Sequence, residues 1–180
     1  MSKGRVKRGD RVYTPRWVVW DMLQHFRPSG RILEPFRGAG AFTNRTAGWD
    51  WCEIDEGRDF FDWHDQVDWI MSNPPYSKLR PVWRHAATVS ANIVFLIPFR
   101  NWVSGYGFIR EALAYGNPVE IRLYGTGSNV GFPMGNAIVA VHWRRGYRGA
   151  TVWSDGTPSK SVYTSDDPST WGPAALEAAP

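Results

Sequence analysis

The sequence contains little cysteine and no long apolar run, and both scarcities exclude classes of protein. The only cysteine is Cys52, in an apparent strand, which is typical of a small buried side chain in a reducing compartment. The four histidines are scattered and form no pattern of metal ligands. No apolar segment could cross a membrane, and no cationic start leads into an apolar run. We therefore expect a soluble cytoplasmic protein, of a cell or of a virus-infected host, with no membrane contact and no metal.

The amounts of charge and tryptophan are more informative. The chain has 180 residues, a net charge of +4, a pI of about 9.4 and 11 tryptophans. This length suits one domain with a single sizeable core, and the basic balance favours a polyanionic partner. Most of the tryptophans are expected in the core, and one or two near a site could stack on bases.

Composition divides the chain into three segments. Residues 1–12 form a basic arm, which is either a flexible tail or a contact for phosphates. Residues 13–145 form the folded domain. Residues 146–180 are rich in Gly, Ser, Thr, Asp and Pro, which predicts a loosely ordered tail with one hairpin near 152–162.

Strands and helices alternate along the folded domain. Thr14 and Pro15 offer an N-cap and a first helical position. The patterns predict helices over 17–26, 79–91 and 106–115. They predict strands over 31–34, 49–53, 67–71 and 92–98, and a final strand pair over 120–124 and 137–143. Such alternation predicts an α/β fold with a mostly parallel sheet covered on both faces, whose ligands bind beyond the carboxyl ends of the strands.

Asn73-Pro74-Pro75-Tyr76 follows a predicted strand. The Asn73 side-chain oxygen could accept one N–H of an exocyclic amino group, and the Pro74 carbonyl could accept the other. Proline suits this task because its φ is fixed and it brings no competing N–H, and the Tyr76 ring could stack on the base that carries the amine. The alternative is a simple turn, since Asn-Pro and Pro-Pro pairs often only end strands.

Three acids follow strands in an order that suits one ligand. Glu34 precedes a turn with glycines at 38 and 40, where the backbone can approach a ligand closely, and its charge would welcome an ammonium group. Glu53 could accept both hydroxyls of a ribose. Asp59 could accept an adenine amino group while Phe60 packs beside the ring. Together an amino-acid end, a ribose and an adenine describe S-adenosylmethionine, although each acid alone is typical of a solvated loop.

The chain resembles the DNA adenine-N6 methyltransferases in which the cofactor motifs precede the catalytic one. The resemblance covers about residues 11–143. It rests on the N-terminal motif Tyr13-Thr14-Pro15, on Glu34 through Gly40, on Glu53-Ile54-Asp55, on Asp59-Phe60, on Asn73-Pro74-Pro75-Tyr76, and on the strand Phe95-Leu96-Ile97-Pro98.

This resemblance implies a Rossmann-like class I methyltransferase domain with a C-terminal antiparallel strand. It implies in-line methyl transfer from S-adenosylmethionine to N6 of a flipped adenine in DNA, in a restriction-modification or phage setting. The implied base-handling residues are Asn73, Pro74, Pro75 and Tyr76, and the further substrate contacts are Lys78, Arg80 and Phe132. The implied cofactor contacts are Tyr13, Thr14, Pro15, Glu34, Pro35, Phe36, Gly38, Gly40, Phe42, Glu53, Ile54, Asp59, Phe60 and Asn73.

Two departures from the family pattern change the expectation. Only five residues separate Glu53 from Asp59, so we expect either that an edge strand after Glu53 is lost or that this segment is vestigial. Asp62 then competes with Asp59 for the adenine. The chain also lacks room for a separate target-recognition domain. Selectivity would then come from loops, from the basic arm or from a partner subunit.

Other acceptors and roles stay open. The same tetrapeptide resembles that of enzymes that methylate an RNA base or a protein glutamine amide, and a catalytically silent nucleic-acid-binding subunit is a further alternative. Six cations are candidate phosphate contacts, or ordinary solvated charges: Arg37, Arg45, Lys78, Arg80, Arg84 and Arg100.

Overall fold

The computed structural model describes residues 13–132 and 135–156. The strands are β1 (Ile32–Glu34), β2 (Asp50–Trp51), β3 (Val67–Ser72), β4 (Ser90–Pro98), β5 (Pro118–Thr126), β6 (Ala137–Arg144) and β7 (Val152–Asp155). The α-helices are α1 (Arg16–Phe26), α2 (Leu79–Val89), α3 (Phe99–Val103), α4 (Tyr106–Tyr115) and α5 (Gly127–Val130). Short 3₁₀ helices occupy several of the connections.

All seven strands form one sheet in the order β2-β1-β3-β4-β6-β5-β7. Strands β2, β1, β3 and β4 pair in parallel. Strand β6 runs antiparallel to both β4 and β5, and β7 returns to parallel pairing with β5. The predicted α/β fold, a mostly parallel sheet with an antiparallel strand near the C-terminal end, is confirmed.

The apolar run in β4 supplies both cores of the domain. Successive side chains of a strand point to opposite faces. Ile93, Phe95 and Ile97 therefore pack on the face covered by α2 and α4, while Val94 and Leu96 pack on the face covered by α1. All five side chains are fully buried, as expected for a central strand with helices on both faces.

The first helix begins at Arg16, one residue after the first helical position that Thr14 and Pro15 predict. Pro15 occupies the N-cap position with an extended ψ of 140°, and no side chain caps the helix. The predicted N-cap role of Thr14 is therefore wrong, because its hydroxyl contacts a different part of the chain. The helix ends at Phe26, and its C-cap residue Arg27 has a left-handed φ of 45° and donates its N–H to the Leu23 carbonyl at 3.2 Å.

No strand follows β2 before β3 begins at Val67. Residues 52–66, all of them described, hold 3₁₀ helices over Ile54–Glu56 and Phe60–Asp62 and an isolated bridge between Glu53 and Arg58. Strand β2 therefore forms the edge of the sheet. The predicted loss of an edge strand after Glu53 is confirmed.

The segment after residue 145 is more ordered at its start than composition indicates. Strand β7 pairs with β5 from Glu120↔Val152 to Leu123↔Asp155, so the prediction of a loosely ordered tail does not hold for this part. The predicted hairpin lies partly outside the described residues, which stop at 156, and the basic arm over 1–12 lies wholly outside them.

Candidate active site

The acids and the Asn73 loop lie at the carboxyl ends of the parallel strands. Strands β1, β2, β3 and β4 are parallel, so their carboxyl ends lie on the same side. Glu34 ends β1, Glu53 follows β2, and Asn73 follows β3. We call the region beyond the carboxyl ends of these strands, from Glu34 to the start of α3, the carboxyl edge.

Glu34 is a buried acid at the end of β1. Its side chain is 1% exposed, and its Oε2 accepts the Thr43 backbone N–H at 2.9 Å. Burial raises the pKa of Glu34 to about 7, although the hydrogen bonds from Thr43 oppose that shift. A buried acid of this kind gains from a cationic ligand, because a positive charge nearby restores the ionised form.

Glu53 connects the turns after β1 and β2. Its Oε2 accepts the Gly38 N–H at 2.7 Å, and its Oε1 accepts the Asp55 N–H at 3.2 Å. Gly38 has a positive φ of 50°, and no atom lies within 4 Å of the place where its Cβ would stand. The glycine thus faces open space beside the Glu53 carboxylate. The sequence places Gly38 and Glu53 in separate motifs and does not reveal this contact.

Most of the other residues in and after the turn that follows β1 are buried. Pro35 and Gly40 are buried and Phe36 is half-buried. Gly40 has a φ of 79°, and a methyl group there would lie 2.5 Å from the Asn44 side chain. Phe42 is 1% exposed and stacks on Trp49 with ring centroids 6.5 Å apart. Phe42 therefore belongs to the core on the α1 face.

Asp59 and Phe60 follow Glu53 along the same edge. Asp59 Oδ1 accepts the Phe61 N–H at 3.0 Å and caps the 3₁₀ helix Phe60–Asp62. The Phe60 ring is 2% exposed and meets Phe36 and His85 at centroid distances of 5.4 and 4.7 Å. Ile54 is half-buried at the start of its own 3₁₀ helix, and Asp62 is exposed. Asp59 is thus held in place by a hydrogen bond, whereas Phe60 is a core residue.

Asn73 is hydrogen-bonded to Thr14, which lies two residues before α1. Its Nδ2 donates to the Thr14 hydroxyl oxygen at 3.1 Å. Pro74 and Pro75 are buried, and Tyr76 is half-buried at the start of a 3₁₀ helix, Tyr76–Lys78. The structure thus brings together Thr14 and Asn73, 59 positions apart in the chain.

The start of α1 also packs against the loop after α5. A methyl group on Gly131 would lie 3.4 Å from the Pro15 ring, and Trp17 Nε1 donates to the Val130 carbonyl at 3.3 Å. Phe132 is 3% exposed in the core on the α1 face, while Tyr13 is 69% exposed. The two aromatic residues predicted near the site therefore differ sharply in their access to a ligand.

Several of the candidate phosphate-binding cations are engaged elsewhere. Arg80 and Arg84 both bind Glu111, each with an Nη2 to Oε1 distance of 2.5 Å. Arg37 pairs with Glu56 at 2.8 Å and lies over the Trp51 ring at 4.6 Å. The remaining three are Arg45, which donates to the Ala41 carbonyl at 2.9 Å, Lys78, at the N-cap of α2, and exposed Arg100.

Comparison with known proteins identifies the fold. No family model matches the sequence, and no curated protein matches it. A structure described as a class I S-adenosylmethionine-dependent methyltransferase of Listeria monocytogenes matches with a TM-score of 0.62 and 11% identity, over 97% of this chain and 73% of that one. The chain has the class I methyltransferase fold.

Two further structures are methyltransferase subunits of type I restriction-modification systems. The subunit from Streptococcus thermophilus matches with a TM-score of 0.60 and 12% identity, over 80% of this chain and 47% of that one. The M protein of the EcoKI restriction enzyme matches with a TM-score of 0.58 and 13% identity, over 74% and 44%. The chain thus spans less than half the length of these subunits, and identities this low support the fold alone.

The described part of the chain contains neither a metal cluster nor a membrane-spanning helix. No group of three or more His, Cys, Asp or Glu side chains in residues 13–132 and 135–156 could hold a metal ion. Within the same ranges, no helix is both long and apolar enough to cross a membrane.

Proposed function

We propose that this chain transfers a methyl group from S-adenosylmethionine to the N6 amino group of adenine in DNA. The observation that carries the proposal is the hydrogen bond from the Asn73 amide to Thr14, at the end of β3 and on the same edge as Glu34 and Glu53. This bond orients the Asn73 amide, whose side-chain oxygen could accept an N–H of an exocyclic amine. The methyltransferase fold of the domain supports this reading.

The acids along the carboxyl edge fit the proposed cofactor. Buried Glu34, with a pKa raised to about 7, would bind the ammonium of its amino-acid end. Glu53 would bind the ribose hydroxyls while holding the Gly38 N–H. Open space beside Gly38 lets a ligand approach the backbone. Because Asp59 is fixed by the Phe61 N–H and Asp62 is exposed, we assign the adenine contact to Asp59.

The Asn73 loop would hold the acceptor. The Asn73 oxygen and the Pro74 carbonyl would each accept one N–H of the adenine amine, and Tyr76 would stack on the base. Bound S-adenosylmethionine would supply an electrophilic methyl group and would be left as a thioether. Asn73 and Pro74 would hold the amine as its nitrogen takes the methyl group, and the amine would lose one proton to solvent. Orientation and hydrogen bonding would supply most of the rate increase.

Target recognition would involve a second subunit. Two of the similar structures are methyltransferase subunits of type I restriction-modification systems. DNA is the proposed substrate, and a partner that reads the sequence is the proposed source of selectivity. We propose the same restriction-modification or phage setting for this chain.

Radiolabelled methyl transfer tests the proposed acceptor. The full chain, the Asn73→Ala variant and a matched Ser77→Ala variant would each be incubated with labelled S-adenosylmethionine and separate pools of DNA, RNA and protein. Ser77 is the exposed next residue after Tyr76, so its replacement should leave transfer unchanged.

The proposal requires label on DNA adenine with wild type and Ser77→Ala, and none with Asn73→Ala. Label only in RNA or on protein glutamine would assign the same site to another acceptor. Cofactor binding with no label in any pool would identify a silent subunit.

A further inference from the structure

Tyr106 is unusually exposed for an aromatic residue so close to the carboxyl edge. Its side chain is 77% exposed at the first position of α4, between Gly105 and Gly107. Single exposed apolar residues are common on protein surfaces, so exposure alone does not identify a site. The surroundings of Tyr106 are more specific.

Helices α3 and α4 contact the end of the Asn73 loop and the helix that follows it. Helix α3 follows β4 directly at the carboxyl edge, and Asn101 in α3 donates its Nδ2 to the Tyr76 carbonyl at 3.5 Å. A methyl group on Gly107 would lie 2.7 Å from Arg80 Nη2, in the first turn of α2. The first turn of α4 is therefore packed against the helix that continues from Asn73-Pro74-Pro75-Tyr76.

The same surface is rich in arginine. Arg80 and Arg84 share one carboxylate, Glu111, and these two guanidinium groups lower the pKa of Glu111 to about 2. Arg100 and Arg110 are exposed and form no ion pair with any residue in the described ranges. Helices α2, α3 and α4 together therefore carry four arginines and a single carboxylate, which favours an anionic partner.

Tyr106 and Arg110 lie on one side of α4. Residues four apart on a helix are neighbours on its surface, and the positions between them are buried or half-buried. Arg100 lies in α3, the helix that precedes α4 in the chain and packs against it. We call the surface formed by Arg100, Tyr106 and Arg110 the α3–α4 face.

Building on the proposed function, we propose that the α3–α4 face binds the unpaired nucleic-acid strand next to the target base. Tyr106 would stack on a neighbouring base, and Arg100 and Arg110 would contact its phosphates. Aromatic rings combined with cations are the usual means of binding single strands without sequence preference. A base that leaves the duplex exposes such a strand beside it.

Fluorescence anisotropy with a labelled single-stranded oligonucleotide of mixed sequence tests this assignment. The full chain would be compared with Tyr106→Ala, Tyr106→Leu and Tyr106→Phe, because phenylalanine keeps the ring and leucine keeps only apolar bulk. Alanine and leucine should weaken binding by about 5- to 100-fold, the range for loss of one stacked base. Phenylalanine should bind like wild type, and S-adenosylmethionine affinity should be unchanged in all three.

A charge-matched pair of double variants tests the arginines. Arg100→Gln with Arg110→Gln should weaken binding and reduce the slope of log affinity against log salt by about 1 to 1.5. Arg27→Gln with Arg144→Gln removes the same charge at the opposite ends of the strands. Arg144 lies opposite Asn92 in the register of β6 with β4, near the start of β4, and Arg27 follows the end of α1 at Phe26. That control should bind like wild type.

The outcomes separate this inference from the proposed function. Equal binding by Tyr106→Ala and wild type, or equal losses in the two double variants, would overturn the inference even if DNA is methylated. If no DNA is methylated but binding still depends on Tyr106 and on the two arginines, the inference holds and the proposed reaction fails. If the wild-type chain binds no strand, the inference is wrong.

Discussion

The Asn73 amide donates a hydrogen bond of 3.1 Å to the Thr14 hydroxyl, joining the start of the chain's described part to the loop after β3. The threonine whose position suits a cap for α1 thus contacts the proposed catalytic residue instead. This bond helps to set the orientation of the Asn73 amide. It gives Thr14 a positioning role in the proposed reaction.

The Thr14→Val variant should slow methyl transfer at saturating cofactor and DNA. Valine keeps the shape but removes the acceptor, and the loss of such a bond to a partly buried donor costs about 1–3 kcal/mol. We expect a rate decrease of roughly 5- to 100-fold, with Thr14→Ser close to wild type. Single-turnover kinetics measures this rate. A valine variant with weaker cofactor affinity but an unchanged saturated rate would contradict the positioning role.

Glu34 should make the free energy of unfolding depend on pH. Its folded pKa of about 7 lies above the ordinary value of 4.5, so the folded state holds its proton more tightly than the unfolded state does. Its stabilising contribution is complete below pH 4.5 and is lost as pH rises through 7. The shift corresponds to about 3 kcal/mol at most.

Urea unfolding of wild type and Glu34→Gln at pH 5 and pH 8 measures this contribution. The variant is needed because a second group also titrates in this range. Burial, and then the charge of Arg144, lowers the pKa of His142 to about 4, so His142 destabilises the folded protein as pH falls from 6.5 towards 4. That effect cancels between the two proteins. The free energy of unfolding of wild type minus that of the variant should fall as pH rises, and a constant difference would refute the assignment.

Cofactor binding should release protons from Glu34 near pH 7. The carboxyl group is then about half protonated, and an ammonium group beside it favours ionisation, so about 0.5 proton should leave per molecule bound. Calorimetric titration with S-adenosylmethionine in two buffers of different ionisation enthalpy measures this number. Glu34→Gln should remove the release, and an equal release from both proteins would argue against contact between Glu34 and the ammonium.

The Gly38→Ala variant should reduce cofactor affinity more than it reduces stability. Its φ of 50° costs a side chain about 1–2 kcal/mol, but its Cβ would meet no protein atom within 4 Å. We expect affinity to fall by at least tenfold, since the methyl group would occupy space proposed for the cofactor. Gly48→Ala is the matched control, with φ 80° and equally open surroundings, and similar affinities in the two variants would contradict this placement.

The sequence predicts the sheet well because its signals are local. The apolar run in β4 and the short spacing from Glu53 to Asp59 each describe one stretch of chain, and the structure agrees with both. The sequence misses α3, and although it predicts a hairpin near 152–162, it does not predict that β7 pairs with β5. Helix α3 is only five residues long, and β7 depends on pairing with β5, which no local pattern of polar residues reveals.

Contacts between distant residues account for the other features that the sequence does not reveal. The bonds from Asn73 to Thr14 and from Gly38 to Glu53, and the pairing of Arg80 with Glu111, each depend on how separate elements pack. Residue type also failed to separate core from surface. Phe42, Phe60 and Phe132 suit ligand contact by their motifs, yet each is at most 3% exposed. Their proposed contacts with cofactor or base stay predictions.

The most direct test is sequencing of adenine methylation in DNA from cells that express the full chain or its Asn73→Ala variant, with expression and cofactor binding verified for both. We predict N6-methyladenine above background with wild type and background levels with the variant. Equal methylation by the two proteins would contradict the proposed role of Asn73. If N6-methyladenine is absent with both proteins and the radiolabelled methyl group appears in RNA or protein, DNA is not the acceptor.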